Sequence, residues 1–176
     1  RLQRLVSKCL SSRSALQRRQ LNIESKIMNI DKLREDLAKD EGCKFEIYLD
    51  HLGYETFGIG HLVRDLDPEY GEPVGTHVPE ERVIDAFEGD IDITLADCLL
   101  VFDDFASFPE EVQLILANMM FNMGMPRLSK FKKMIAAVEA GDYQEAAAQM
   151  KDSRWYHQVT NRAERLIKRM KDVKDG

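Results

Sequence analysis

Two carboxylates and a hydroxyl fall close together in DEGCKFEIYLDHLGYETFGIGHL, residues 40–62: Glu41, Asp50 and Thr56. Carboxylates on separate elements that fold toward each other are what hydrolysis of a glycosidic bond requires. One stays protonated and gives its proton to the leaving oxygen, while the other is ionised and activates water or attacks carbon. Spacing alone does not single this pair out, because the chain holds 31 acids in 176 residues and most surface carboxylates are solvated charge. The case depends on the elements that position the three groups.

Those elements can be read from the residues around them. Ile30, Leu33 and Leu37 share a helical face, and Gly42 follows Asp40 and Glu41 as a stop signal, so Glu41 is expected at a helix C-terminus. Phe45 to Leu49 reads as a strand, Asp50 to Gly53 as a turn, and Tyr54 to Ile59 as a returning strand. Residues 63–79, rich in Pro, Gly and Asp, read as a loop. Pro79-Glu80-Glu81 opens a long helix with Val83, Phe87, Ile91, Leu95 and Cys98 on one stripe. Further helices are expected at about 109–123, 129–140, 142–151 and 160–174, with breaks at Met125-Pro126, Gly141 and Gln158-Val159. The expected fold is α+β and mainly α. A small lobe with a β-hairpin sheet (about 40–80) is joined by a long helix to a helical lobe (about 28–39 and 95–176), leaving a cleft between them. Residues 1–27 read as a basic amphipathic extension outside the domain of residues 28–176, with six bases and no acid in the first twenty.

Composition narrows the function classes. The longest apolar run is far shorter than the roughly 20 residues that span a bilayer, and no basic, apolar, small-residue leader is visible at the start. The expectation is no membrane anchor, no secretion signal and no nucleic-acid partner. Cys9, Cys43 and Cys98 form no CxxC or metal-ligand pattern and are expected to be free thiols. No metal and no cofactor is implied. Net charge is −6, unevenly spread: residues 65–111 hold fifteen acids against Arg82 alone, whereas residues 127–176 hold twelve Lys or Arg against seven acids. A polyanionic partner is therefore expected to meet the C-terminal part.

Three ordered motifs resemble the phage-type lysozymes, the T-even phage endolysin family of glycoside hydrolases. The stretch at 40–62 is similar to that family's signature, and NMMFNMG at 118–124 and SRWYHQVTNRAERL at 153–166 resemble its later segments. The likeness covers roughly residues 28–170. It implies hydrolysis of the β-1,4 bond between N-acetylmuramic acid and N-acetylglucosamine in bacterial peptidoglycan, with inversion, by a monomer. By the same resemblance Glu41 is the general acid, and Asp50 with Thr56 places the attacking water. Glu41 must then keep its proton near neutral pH, and the carboxyl groups must stand roughly 6.5–9.5 Å apart to admit that water. Gly58 and Gly60 are expected to let sugar approach the backbone.

The resemblance also places Leu62, Phe121, Met134, Gln149 and Arg154 along the substrate. Leu62 and Phe121 equally fit ordinary core, and Arg154 either meets substrate carboxylates or pairs with an acid. His61 is expected to be structural, paired with a carboxylate such as Asp90. Trp155 and Tyr156 are more often core than sugar platform, the Met119, Met120, Met123 and Met125 cluster reads as core filler, and Asn161 and Arg162 are expected to close a helix start. Met134 and Gln149 stand where the family has serine and asparagine, so its peptide recognition does not carry over to these two positions. A non-catalytic peptidoglycan-binding module is the alternative from another class, and it has no need of Glu41, Asp50 and Thr56 together. Two narrower variants are chitin hydrolysis and lysis through the basic N-terminal segment.

Overall fold

The computed structural model describes residues 28–174; Cys9 and the basic extension lie outside them. Helix α1 (Ile30–Glu41) buries Ile30, Leu33, Arg34, Leu37 and Ala38, the i, i+3, i+4, i+7, i+8 pattern of one helical face. It ends where the glycine signal places it: the Gly42 N–H bonds back to Ala38 O at 3.1 Å. Three antiparallel strands follow in the order β1 (Lys44–Leu49), β2 (Glu55–Gly58), β3 (His61–Leu62). The expected hairpin is therefore extended by a third strand, which two residues are too short to announce by periodicity. Tyr48 pairs with Thr56, and Thr56 with Leu62, so these three side chains form one row across the same sheet face. The outer edge of β1 is covered by its own loop: Ile47 N–H bonds Thr76 O, Gly75 N–H bonds Ile47 O and Val78 N–H bonds Phe45 O.

Helix α2 (Glu80–Val101) buries Val83, Phe87, Ile91 and Cys98 of the expected stripe, while Leu95 is half-buried. Then come a 3₁₀ turn (Phe105–Ser107) and helices α3 (Glu110–Met123), α4 (Met125–Leu128), α5 (Lys132–Glu139), α6 (Tyr143–Lys151), α7 (Arg154–Gln158) and α8 (Thr160–Asp172). Two short helices correct the expected breaks. Met125-Pro126 opens α4 instead of interrupting, because proline lacks an N–H where the first turn needs none, and α7 is capped by Ser153, whose hydroxyl accepts the Tyr156 N–H.

Among the described residues the chain divides into a unit from Asp31 to Ile93 and a second comprising residues 28–30 and 94–174. The first is held by the sheet, the apolar faces of α1 and α2, and the fully buried Arg34. Its guanidinium grips Glu88 with two bonds (Nε 2.7 Å, Nη2 2.6 Å) and reaches Asp31 at 2.8 Å. The second is organised around α3, buried from Val112 to Met120. Its one buried glutamine, Gln113, donates to Phe108 O at 2.7 Å, and Phe102, Phe105 and Phe108 stack beside it with centroids 6.1–6.3 Å apart.

Candidate active site

The turn after β1 is built by Asp50. Its Oδ1 accepts the N–H groups of Leu52 (2.8 Å) and Tyr54 (2.9 Å), and its own N–H donates to Tyr54 O (2.9 Å). An aspartate that bonds the backbone ahead of it is the local reason this sequence turns here. One oxygen is thereby consumed in fixing the side chain, while Oδ2 makes no bond among the described residues. Thr56, 4% exposed, donates its hydroxyl to the same Tyr54 O at 3.1 Å. The same peptide carbonyl thus accepts the Asp50 backbone N–H and the Thr56 hydroxyl, and the threonine oxygen keeps its lone pairs.

Glu41 is partly exposed at the end of α1. Its carboxyl meets Gly60: a Cβ added there would stand 3.0 Å from Oε2, and Gly60 has φ +72°. The glycine therefore makes room for Glu41. Gly58 is different from expectation, since its space is taken by Val83 of α2, 2.9 Å from an added Cβ, so it serves helix-on-sheet packing. Tyr48, which sequence reasoning passed over, reports on both carboxylates. Burial first, and then the charges of Glu41, Asp50 and Cys43, push its phenol above its ordinary 10.0. Strand alternation was the available signal, because Tyr48 stands two residues before Asp50 and opposite Thr56.

His61 is buried and bonded on both ring nitrogens, Nδ1 to Asp90 (2.7 Å) and Nε2 to Asp67 (3.1 Å). Burial pulls its pKa down, but the bonds and charges of Asp90 and Asp67 outweigh that and hold it above 6.5. Asp67 goes the other way. Burial raises it, while the Arg64 N–H, His61 and Arg82 together hold it below 3.8. Arg82 completes the network on Asp67 (2.7 Å) and Glu69 (3.0 Å). The expected pairing with Asp90 is present, and Asp67 is the partner the sequence did not announce.

In the first unit, then, the Asp50 N–H and the Thr56 hydroxyl share one backbone acceptor, and Leu62, 42% exposed, continues the row of Tyr48 and Thr56. In the second unit Met134, Gln149 and Arg154 line one cavity of about 710 Å³, whereas Phe121 is not among its lining residues. Met134 is buried and forms part of the floor. Trp155 is both core and lining: it is 4% exposed, and its Nε1 donates to Asn122 at 2.8 Å. Arg162 does not simply close a helix start. It is buried, with Nε on Asn118 Oδ1 at 2.7 Å. Cys43 and Cys98 are in no disulfide among the described residues, and no cluster of metal-ligating groups occurs among them.

A helical protein with a small antiparallel sheet whose turn carries a fixed aspartate is of the lysozyme-like α+β class. The sequence profile of the phage lysozyme family matches residues 38–172. The chain is 31% identical to a probable T4-type lysozyme of Dictyostelium discoideum over 157 residues, covering 78% of this chain and 92% of that one. It is also 32% identical to the pre-baseplate central spike protein Gp5 of Enterobacteria phage T4, covering 76% of this chain and 26% of that protein. A third relative is the peptidoglycan hydrolase gp36 of Pseudomonas phage phiKMV, 31% identical over 78% of this chain and 15% of its own length. The chain belongs to the phage lysozyme family and is a glycoside hydrolase.

Proposed function

We propose that the protein is a muramidase that cleaves the β-1,4 bond between N-acetylmuramic acid and N-acetylglucosamine in bacterial peptidoglycan, with inversion at the anomeric carbon. Glu41 gives its proton to the glycosidic oxygen as the bond to the anomeric carbon breaks. A water held by Asp50 Oδ2 and the Thr56 hydroxyl attacks the opposite face and passes its proton to Asp50. The observation that carries this reading is the way one turn holds both groups, the Asp50 carboxylate through the Leu52 and Tyr54 N–H groups on Oδ1 and the Thr56 hydroxyl through Tyr54 O, while leaving on each an acceptor for one water. Two hydrolytic relatives, one of them a peptidoglycan hydrolase, support the substrate class.

Orientation of this kind supplies much of an enzyme's rate, and misplacement by about 1 Å can cost ~10²-fold. Tyr48 and Leu62 stand on either side of Thr56 in the same sheet row, which puts them beside the sugar that Thr56 serves. The test is the product itself. Proton NMR recorded within minutes of cleaving purified glycan strands should show the α anomer first, with N-acetylmuramic acid at the new reducing end. The β anomer would mean a retaining mechanism with a covalent intermediate, and N-acetylglucosamine ends would mean the other bond is cut.

A further inference from the structure

The last turns of α2 carry apolar side chains that the described residues leave uncovered. Leu99 and Leu100 are 51% and 73% exposed, and Ala96 is exposed beside them, the i, i+3, i+4 spacing of one helical stripe. Both leucines leave apolar area in water that contact with a partner would remove. The surroundings are acidic. Asp97 stands in the same turns, and Asp103 and Asp104 follow directly, both exposed and without an ion pair among the described residues. A helix C-terminus favours cations, yet the last turn of α2 has none, and no Lys or Arg occurs from residue 83 to residue 126. The end of α2 therefore presents an apolar stripe edged by carboxylates where positive charge is favoured.

An occupant that matches this face is apolar along one side and basic along its edge, and residues 1–20 have that pattern. Leu2, Leu5, Val6, Cys9 and Leu10 repeat at the i, i+3, i+4, i+7, i+8 spacing of an amphipathic helix, flanked by Arg1, Arg4 and Lys8. Arg13, Arg18 and Arg19 follow, with no acid among the twenty. Their reach is sufficient. Asn29, two residues beyond the basic extension, donates its N–H to Glu110 at 2.9 Å, at the start of α3. Leu100 lies ten residues before Glu110 and so within about 35 Å of it, whereas residues 11–27 can extend to about 55–60 Å. The same face of a second copy is a poorer occupant, because it would set carboxylate against carboxylate.

We propose that residues 1–10 dock on the end of α2 of their own chain, with their leucines over Ala96, Leu99 and Leu100 and with Arg4 and Lys8 toward Asp103 and Asp104. Apolar contact holds the segment, and the charges set its orientation and make the attachment sensitive to salt.

Cys9 lies on the apolar side of the segment and serves as the probe. The full chain with Cys43→Ala keeps the buried Cys98 and receives either Leu100→Cys or, for comparison, Lys168→Cys on α8, a side chain 77% exposed. After mild oxidation with diamide, mass spectrometry should find Cys9 joined within one chain to the thiol introduced at Leu100, in about fivefold higher yield than at Lys168, because docking raises the local concentration. Arg4→Glu/Lys8→Glu should remove about that advantage, and adding Asp103→Lys/Asp104→Lys should restore it. Without any introduced thiol, hydrogen exchange at residues 96–104 should run about threefold faster in Arg4→Glu/Lys8→Glu than in the parent. Equal yields at the two positions would overturn the proposal, and so would unchanged exchange or a failure of the second charge reversal to restore the crosslink. Crosslinks that join two chains would overturn it as well, and would assign the face to a second copy.

Discussion

The hairpin of the first unit and the basic pocket of the second are built on opposite plans. Around the hairpin each candidate group is fixed by the backbone: Asp50 by Leu52 and Tyr54, Thr56 by Tyr54. Glu41 is bounded by the empty side of Gly60. Behind them the first unit ties its excess of acids into shared networks, Arg34 between Asp31 and Glu88, Arg82 and His61 on Asp67. Around the pocket only the floor is fixed, and the five cations of its rim, Arg127, Lys130, Lys132, Lys133 and Arg154, stand exposed on their own stems. The difference separates two requirements. Bond cleavage needs groups placed to a fraction of an ångström. Attraction of a charged partner can be carried by several weak contacts that adapt to it.

Breaking the hairpin should have the largest effect. Asp50→Ala removes both the charge and the turn bonds, and steady-state assays should show kcat lower by roughly 10²–10³, with stability lower by about 1 kcal/mol. Asp50→Asn keeps an acceptor for the two N–H groups, so urea unfolding should give near-parent stability while activity stays about 10² down. Equal loss of stability in both variants would show that the turn does not depend on Oδ1.

Gly60→Ala tests the same precision by steric means. Its Cβ would meet Glu41 Oε2 at 3.0 Å from a left-handed backbone position, so kcat should fall on the order of 10-fold to 10²-fold, with about 1 kcal/mol of stability lost. Gly58→Ala presses on Val83 instead and should lower stability by about 1–3 kcal/mol. Activity per folded molecule should hold in that variant, which sharpens the distinction between room for chemistry and room for packing.

The network behind the hairpin predicts a pH dependence. Because the folded-state pKa of His61 lies above 6.5, its contribution is fully present below that value and is lost as pH rises through the raised one. Asp67, held below 3.8, contributes above that value and loses its share as pH falls. His61→Gln should lower stability by about 2 kcal/mol at pH 6. Urea titrations should show that the gap to the parent narrows as pH rises toward 9. A gap independent of pH would mean that the histidine contributes packing alone.

The smallest effect is expected from the pocket. Lys130→Gln/Lys132→Gln/Lys133→Gln should leave thermal stability within about 0.5 kcal/mol of the parent, since all three lysines are exposed. Its kcat/KM on purified peptidoglycan at low salt should drop only about 3- to 10-fold.

Much of the hairpin was legible because its signals are local. Gly42 ends α1 just after Glu41, an Asp-x-x-Gly turn places Asp50, and strand alternation places Thr56. The rest depends on contacts between distant residues. Nothing near Arg34 in sequence announces that Glu88 will bury it, and Asp67 reaches His61 only because the loop after β3 folds back. Helices α4 and α7 are too short to show a period. The five cations converge only once α4, α5 and α7 have formed, although the charge shift after residue 127 pointed to that end of the chain.

The most direct test of the central claim compares reducing-end release from purified peptidoglycan by the parent and by Glu41→Gln at equal concentration. The account predicts release by the parent and a loss of at least ~10²-fold in the variant, with folding unchanged. Release by Glu41→Gln at the parent rate would contradict it, because no protonated carboxyl would then remain at that position to give the leaving oxygen its proton.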